Sequence, residues 1–241
     1  MRDVQELPTP RDGEIDARPG QRGADRHRAV PDGHQPRLPG VEVALRDGGE
    51  HGAVNQHLQP KRWAGIETTL PLTAVDPGDP KHPGAEGLVL AHVDLAGTSV
   101  LVACSVLPWK GAGSYWRGLP DGQFEQFRCV LDEHVARITA ARRSRESLIW
   151  GGDLNQELTP PLWAGTNEGT ATLRAAFEYL GLTPLTQGLA HLKGQSHAID
   201  HLAVSADLLV QRVEVHRPTW PDGRDLSDHA AYTADVELTR T

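Results

Sequence analysis

The run Ser147-Leu148-Ile149-Trp150-Gly151-Gly152-Asp153-Leu154-Asn155-Gln156 constrains this chain more than any other segment. Its apolar half is too short for a buried helix and has the length of a buried strand. It breaks at two glycines, which let the backbone turn, and then presents an acid and an amide one residue apart. A rigid strand that ends this way delivers two polar side chains to the rim of a sheet. On its own, Asp-Leu-Asn after Gly-Gly also fits a turn whose Asx side chains bond their own backbone.

The surrounding pattern is α/β. Residues 87–95 alternate Val89, Ala91, Val93 and Leu95 on one face. They are followed by the turn Ala96-Gly97-Thr98 and by an apolar partner over 99–107, the signature of a hairpin. Phe124, Phe127, Leu131, Val135 and Ile138 form one helical stripe across 124–142, and a second amphipathic helix over 172–180 stops at Gly181. Strands are predicted at 148–152, 198–205, 211–215 and 231–238. Strands and helices in this order indicate mixed sheets with helices outside.

Residues 1–60 differ from the rest. They contain no Phe, Trp or Tyr, are dense in Arg, Asp, Gly, Pro and Gln, and carry no apolar period except a hint of a strand over 41–45. A poorly ordered or atypical segment is expected there, followed by a globular domain over 61–241. The net charge of −8 argues against loose, sequence-blind nucleic-acid binding, although a local basic groove is compatible with it. No run approaches the length of a membrane span, and the first residues lack a signal-peptide core. A cytoplasmic monomer is the expectation. Cys104 and Cys129 both read as small core residues.

Four places carry candidate chemistry: Asp153 with Asn155, Asp200, and Asp228 with His229. Each lies at or beside a predicted strand end, so all can gather at one rim. Carboxylates brought together repel, and a site holding several commonly also holds a cation; oxygen and amide donors favour a hard ion such as Mg2+. A carboxylate beside a histidine orients the ring and stabilises its charged form. An imidazolium next to a metal suits an anionic substrate, and phosphate is the natural candidate.

Gly152-Asp153-Leu154-Asn155, Ala198-Ile199-Asp200-His201 with Ser205 following, and Leu226-Ser227-Asp228-His229 resemble the last three signature motifs of the endonuclease/exonuclease/phosphatase superfamily. This superfamily includes abasic-site endonucleases, DNase I-like nucleases, sphingomyelinases and inositol-polyphosphate 5-phosphatases. The resemblance covers residues 63–241 and implies a four-layer sandwich of two packed mixed β-sheets flanked by helices, with the N-terminal strands missing or disordered.

The resemblance also implies roles. Asp153 would orient or deprotonate the attacking water, and Asn155 would hold that water and the scissile phosphate. Asp228 would ligate Mg2+, with Mn2+ as a substitute. His229 would donate to a non-bridging phosphate oxygen, and Asp200 would hold His229. The expected activity is metal-dependent phosphoester hydrolysis, with nucleic acid among the candidate substrates. The alternative is an inactive or truncated member that serves as a scaffold or binding module.

The sequence departs from the family pattern at two places. Val4-Gln5-Glu6 is the only trace of the family's Gln-Glu strand, which makes Glu6 the candidate metal carboxylate; no first-strand Asn is found. Where many members carry Thr-His-Leu, this chain has Ser105-Val106-Leu107 followed by Pro108-Trp109-Lys110. Lys110 then becomes the candidate for positive charge at the substrate. Trp109, Tyr115 and Trp116 either floor a substrate site or cover the core edge. His197 is a candidate substrate contact, and His201 is expected to be structural.

Overall fold

A computed structural model of the chain describes residues 41–45, 56–58, 63–75, 79, 81–191 and 196–239. Glu6 lies outside them.

The centre of the fold is a strand trio: β5 (Leu88–Leu95), β6 (Thr98–Val106) and β7 (Ser147–Asp153). β5 and β6 form the expected hairpin, and β6 runs parallel to β7. The trio is flanked by β4 (Leu72–Ala74) on one side and by β9 (Asp200–Ser205) and β8 (Leu182–Pro184) on the other. The result is a six-stranded mixed sheet in the order β4-β5-β6-β7-β9-β8. The central strands are apolar on both faces because both faces are covered. Leu88, Leu90, Leu101, Ala103, Leu148, Trp150 and Ala203 point to one core. Val89, Ala91, Val93, Val100, Val102, Cys104, Ile149 and Val204 point to the other.

Two helices, α1 (Gln123–Ala141) and α2 (Asn167–Leu180), close the first core. Thr166 caps the start of α2 by accepting from the Gly169 N–H at 2.9 Å, and Gly181 ends the helix in the left-handed conformation with φ 68°. The buried stripe of α1 is Phe127, Val130, Leu131, His134 and Ile138, while Phe124 and Val135 are half-buried. The face is thus rotated from its apolar periodicity because His134 is buried. Its ring hydrogen-bonds the Gly84 carbonyl at 2.9 Å, and desolvation holds its pKa down to about 4. Cys104 is buried and Cys129 half-buried, and no disulfide joins them.

The second core is covered by two small sheets. In one, β1 (Val41–Leu45) runs parallel and β2 (Gln56–Leu58) antiparallel to β3 (Ala64–Thr68). The other pairs β10 (Leu208–His216) with β11 (Ala231–Leu238). Ala64 and Ile66 of β3, together with Leu208, Val210, Val236 and Leu238, pack on the second core. The arrangement is therefore helices, six-stranded sheet, then small sheets. Among the described residues, no α-helix lies outside this second β layer, and no helix is long and apolar enough to cross a membrane.

Strand polarity fixes the functional end. The C-terminal ends of β6 and β7 and the N-terminal ends of β5 and β9 share one rim. The connection between β10 and β11 brings residues 217–230 to it from the second layer. Two ion pairs, Arg217 with Asp225 and Arg224 with Asp222, and a bridge between Thr219 and Asp225 shape that connection into a small hairpin.

Candidate active site

The glycine pair at the end of β7 permits close strand packing. Gly152 has φ 141°, and a Cβ there would fall 1.8 Å from the backbone oxygen of Ser105 on β6. Backbone cannot swing aside as a side-chain end can. Gly152→Ala is expected to cost more than about 3 kcal/mol. Thermal unfolding by calorimetry should show a fall in Tm of roughly 6–12 °C.

Beyond Gly152 the chain stays tied to the sheet. Leu107 N–H donates to the Asp153 carbonyl at 2.9 Å, and Leu154 N–H donates to the Ile199 carbonyl at 3.0 Å. Asn155 takes up the left-handed backbone, φ 52°, which asparagine tolerates better than most residues. Its N–H donates to Asp153 Oδ1 at 3.1 Å, and its side-chain Nδ2 donates to the Leu107 carbonyl at 2.9 Å. The Asx turn and the rim site are thus the same structure, with Asn155 held by Leu107, just past β6, and by Asp153.

Asp153 stands directly across from Asp200 in the β7–β9 register. Burial, and then the neighbouring Asp200 carboxylate, raise the Asp153 pKa to about 7; His229 and the Asn155 hydrogen bonds oppose this shift. Asp200 in turn accepts from His229 Nδ1 at 2.9 Å. That hydrogen bond is the main reason the His229 pKa rises to about 9 against the cost of desolvation, with smaller contributions from the charges of Asp200, Asp153 and Asp228. At neutral pH the rim therefore holds an imidazolium clamped by one carboxylate, beside an acid that titrates near neutrality.

The remaining candidates are less closely gathered. Asp228 is exposed, its Oδ1 3.9 Å from His229 Nε2. His197 is half-buried, its N–H donating to Glu157 Oε1 at 2.9 Å. The fully buried Glu157 also accepts from the N–H groups of Trp163 and Ala164, so one carboxylate ties the loop after β7 to the loop before β9. His201 is structural, as expected: its ring bonds the Thr186 hydroxyl at 3.0 Å and the Gln156 carbonyl at 2.8 Å, and burial depresses its pKa. Lys110 is exposed in the loop after β6. Trp109 packs edge-on against both Trp63 and Trp116, which meet each other at a tilt of 41°, and all three pack on the helix-side core, which favours the core-edge role; Tyr115, beside Trp109, is 59% exposed.

Two residues at the rim carry no motif. His191 offers a ring nitrogen which, with Asp200 and His229, forms a group of ligand atoms all within 4.8 Å of one another, a possible metal site. Tyr232 donates its hydroxyl to the Ala190 carbonyl at 2.9 Å, beside His191. Neither residue stands next to an apolar-to-polar break of the kind that marks Asp153, so sequence offers no signal for either.

No family model and no curated protein matches the sequence. Solved structures do. An AP endonuclease from Archaeoglobus fulgidus superposes with a TM-score of 0.56 at 12% identity, covering 76% of this chain and 80% of that one. The D. rerio TDP2 complexed with single-strand DNA product gives 0.48 at 13% identity, covering 76% and 77%. An endonuclease/exonuclease/phosphatase family protein from Bacteroides thetaiotaomicron gives 0.40 at 15% identity, covering 62% and 54%. The likeness to the Archaeoglobus enzyme, over 76% of this chain, shows that the chain has a fold of the endonuclease/exonuclease/phosphatase type.

Proposed function

We propose that this chain is a divalent-metal-dependent phosphoesterase that hydrolyses its substrate with an activated water. One observation carries the reading. Asp153, an acid titrating near neutrality, faces Asp200, and Asp200 holds His229 as an imidazolium. A general base works best with a pKa near the operating pH, and a fixed cation stabilises charge that grows on a phosphoryl oxygen.

In this reading Asp153 takes the proton from water. Asn155, anchored to Leu107 through one amide hydrogen, has a second with which to hold the phosphate. His229 donates to a non-bridging oxygen, and Asp200 keeps the ring oriented. Water displaces the leaving oxygen in line, with no covalent intermediate. Three carboxylates against one imidazolium leave this rim negative, which fits a hard divalent cation. Mg2+, or Mn2+, would be held by Asp228, and when bound it supplies Lewis-acid polarisation of the phosphate. His197, Lys110 and Trp109 are the proposed substrate contacts. The Archaeoglobus relative is named as an AP endonuclease, so a nucleic-acid phosphodiester is the first substrate to test.

The test is hydrolysis of bis-p-nitrophenyl phosphate and of abasic-site DNA in Mg2+. Turnover that EDTA abolishes and added Mg2+ restores is expected, and turnover indifferent to EDTA would overturn the reading. Absence of turnover on every phosphoester offered, together with no Mg2+ binding by calorimetry, would favour the second reading, an inactive scaffold. The exchange of the family's histidine at the end of β6 for Ser105-Val106-Leu107 is the observation that keeps this second reading open.

A further inference from the structure

We propose that His191, Asp200 and His229 form a binding site for one transition-metal ion of the zinc class, and that filling it takes His229 away from the phosphoester. The three ligand atoms lie within 4.8 Å of one another and come from three separate elements. Asp200 opens β9, His229 lies two residues before β11, and His191 sits on the connection between β8 and β9.

The third ligand, His191, is held in place. Ala190 and His197 form an antiparallel bridge, and His191 N–H donates to the Ser196 carbonyl at 3.0 Å. Ala198 N–H donates to the Leu189 carbonyl at 2.9 Å, and the Tyr232 hydroxyl to the Ala190 carbonyl at 2.9 Å. The His191 and His229 rings meet edge to face, centroids 5.3 Å apart at 69°. The His229 side chain is 33% exposed and that of Asp200 12%, so the group can be reached from solvent.

Two imidazoles and one carboxylate make a donor set for Zn2+, Co2+ or Ni2+ and a poor one for Mg2+, which prefers oxygen and keeps its waters. Three protein ligands with one position left to water are the usual set for an accessible zinc ion. Bonds of about 2.0–2.1 Å in a tetrahedron put ligand atoms about 3.3 Å apart, so rotamer adjustments of about 1 Å close the site. A His229 ring nitrogen that binds the ion no longer serves as a cationic donor to phosphate. Mg2+ would then support turnover, and a trace of zinc would stop it at a different set of atoms. The binding claim stands on geometry alone; the inhibition claim rests on the phosphoesterase reading.

The experiment titrates the full chain, in millimolar Mg2+, with Co2+ as a visible-absorption probe displaced by Zn2+, beside His191→Ala and His191→Asn variants checked by circular dichroism. One equivalent of Co2+ with d–d bands is expected in the native protein, lost in both variants and displaced by zinc. Equal stoichiometry and equal bands in all three proteins would overturn the site. So would imidazole resonances of His191 and His229 in the native protein that do not shift together on adding one equivalent of zinc; that measurement needs no variant. For inhibition, each protein is compared with its own zinc-free rate. One equivalent of zinc is expected to cut native turnover at least tenfold and that of the His191 variants less than twofold, and equal sensitivity would overturn the switch. Co2+ binding that depends on His191 without turnover in any protein would refute the phosphoesterase reading and leave the metal site standing.

Discussion

Asp153→Asn is expected to lower phosphoester hydrolysis by about 10³–10⁴-fold, at the upper end of what a general base contributes, and yet to raise thermal stability at pH 8. The activity loss follows from removing the group that accepts the water proton. Asparagine keeps the shape and can still accept from the Asn155 N–H, but it cannot take a proton. The stability gain follows from the sign of the pKa shift. The folded pKa of about 7 lies above the ordinary carboxylate value of 3.8 because burial and Asp200 oppose the charge. As pH rises from about 4 to 7, the folded protein holds a proton the unfolded chain has released, so stability falls across that window and the cost persists above it. Asp153 is half-buried, so water screens part of the repulsion, which leaves a cost of about 1–2 kcal/mol, or a Tm gain of roughly 2–8 °C for a domain of this size. Calorimetry of both proteins in metal-free buffer at pH 4 and pH 8, with initial rates on bis-p-nitrophenyl phosphate in Mg2+, checks both halves. A variant less stable than the native protein at pH 8, or one that retains a tenth of its rate, contradicts the assignment.

That coupling of cost and chemistry also bears on which parts of the molecule are legible in the sequence. The central strands were legible because both of their faces are covered. Val89 and Leu90, or Leu148 and Ile149, are apolar neighbours pointing into different cores, and no solvent-facing alternation dilutes the signal. Gly152-Asp153 was legible because a close strand approach and a charged strand end are both written in residue type. Short strands such as Leu182–Pro184 take their pairing from β9 and carry no period of their own. His134 looked polar and is core, because a single carbonyl, that of Gly84, is there to meet its ring. His191 reaches the rim through the backbone of a bridged loop and a tyrosine hydroxyl from β11. Nothing within a few residues of His191 records that contact. The hydrogen bond between Asp200 and His229 is implied by the family resemblance; spacing alone leaves it open.

Asp200→Asn is expected to lower turnover about 10²–10³-fold and to move its alkaline limit, a result that distinguishes positioning from simple loss of structure. Catalysis in the proposed form needs Asp153 ionised and His229 protonated, so the native profile should be bell-shaped, with its useful range between about 7 and 9. The two limits belong to Asp153 and His229 as an interacting pair rather than to either residue alone. Removing the Asp200 charge acts on both limbs in the same direction. His229 loses the partner that raises its pKa and keeps the desolvation that lowers it, so its pKa falls toward or below the ordinary 6.5. Asp153 loses its like-charged neighbour, so its pKa falls as well. The whole bell moves to acid and shrinks. The stability linkage has its own sign: a histidine whose pKa is raised on folding contributes fully below its unfolded value, and that contribution is lost as pH rises through the folded one. The native protein should therefore lose stability between about pH 6.5 and 9 through this pair, and Asp200→Asn should flatten that slope. Imidazole chemical shifts of His229 against pH, read beside the rate profile, decide the matter. A His229 that still titrates near 9 in Asp200→Asn would show that the hydrogen bond at 2.9 Å is not what holds the ring charged.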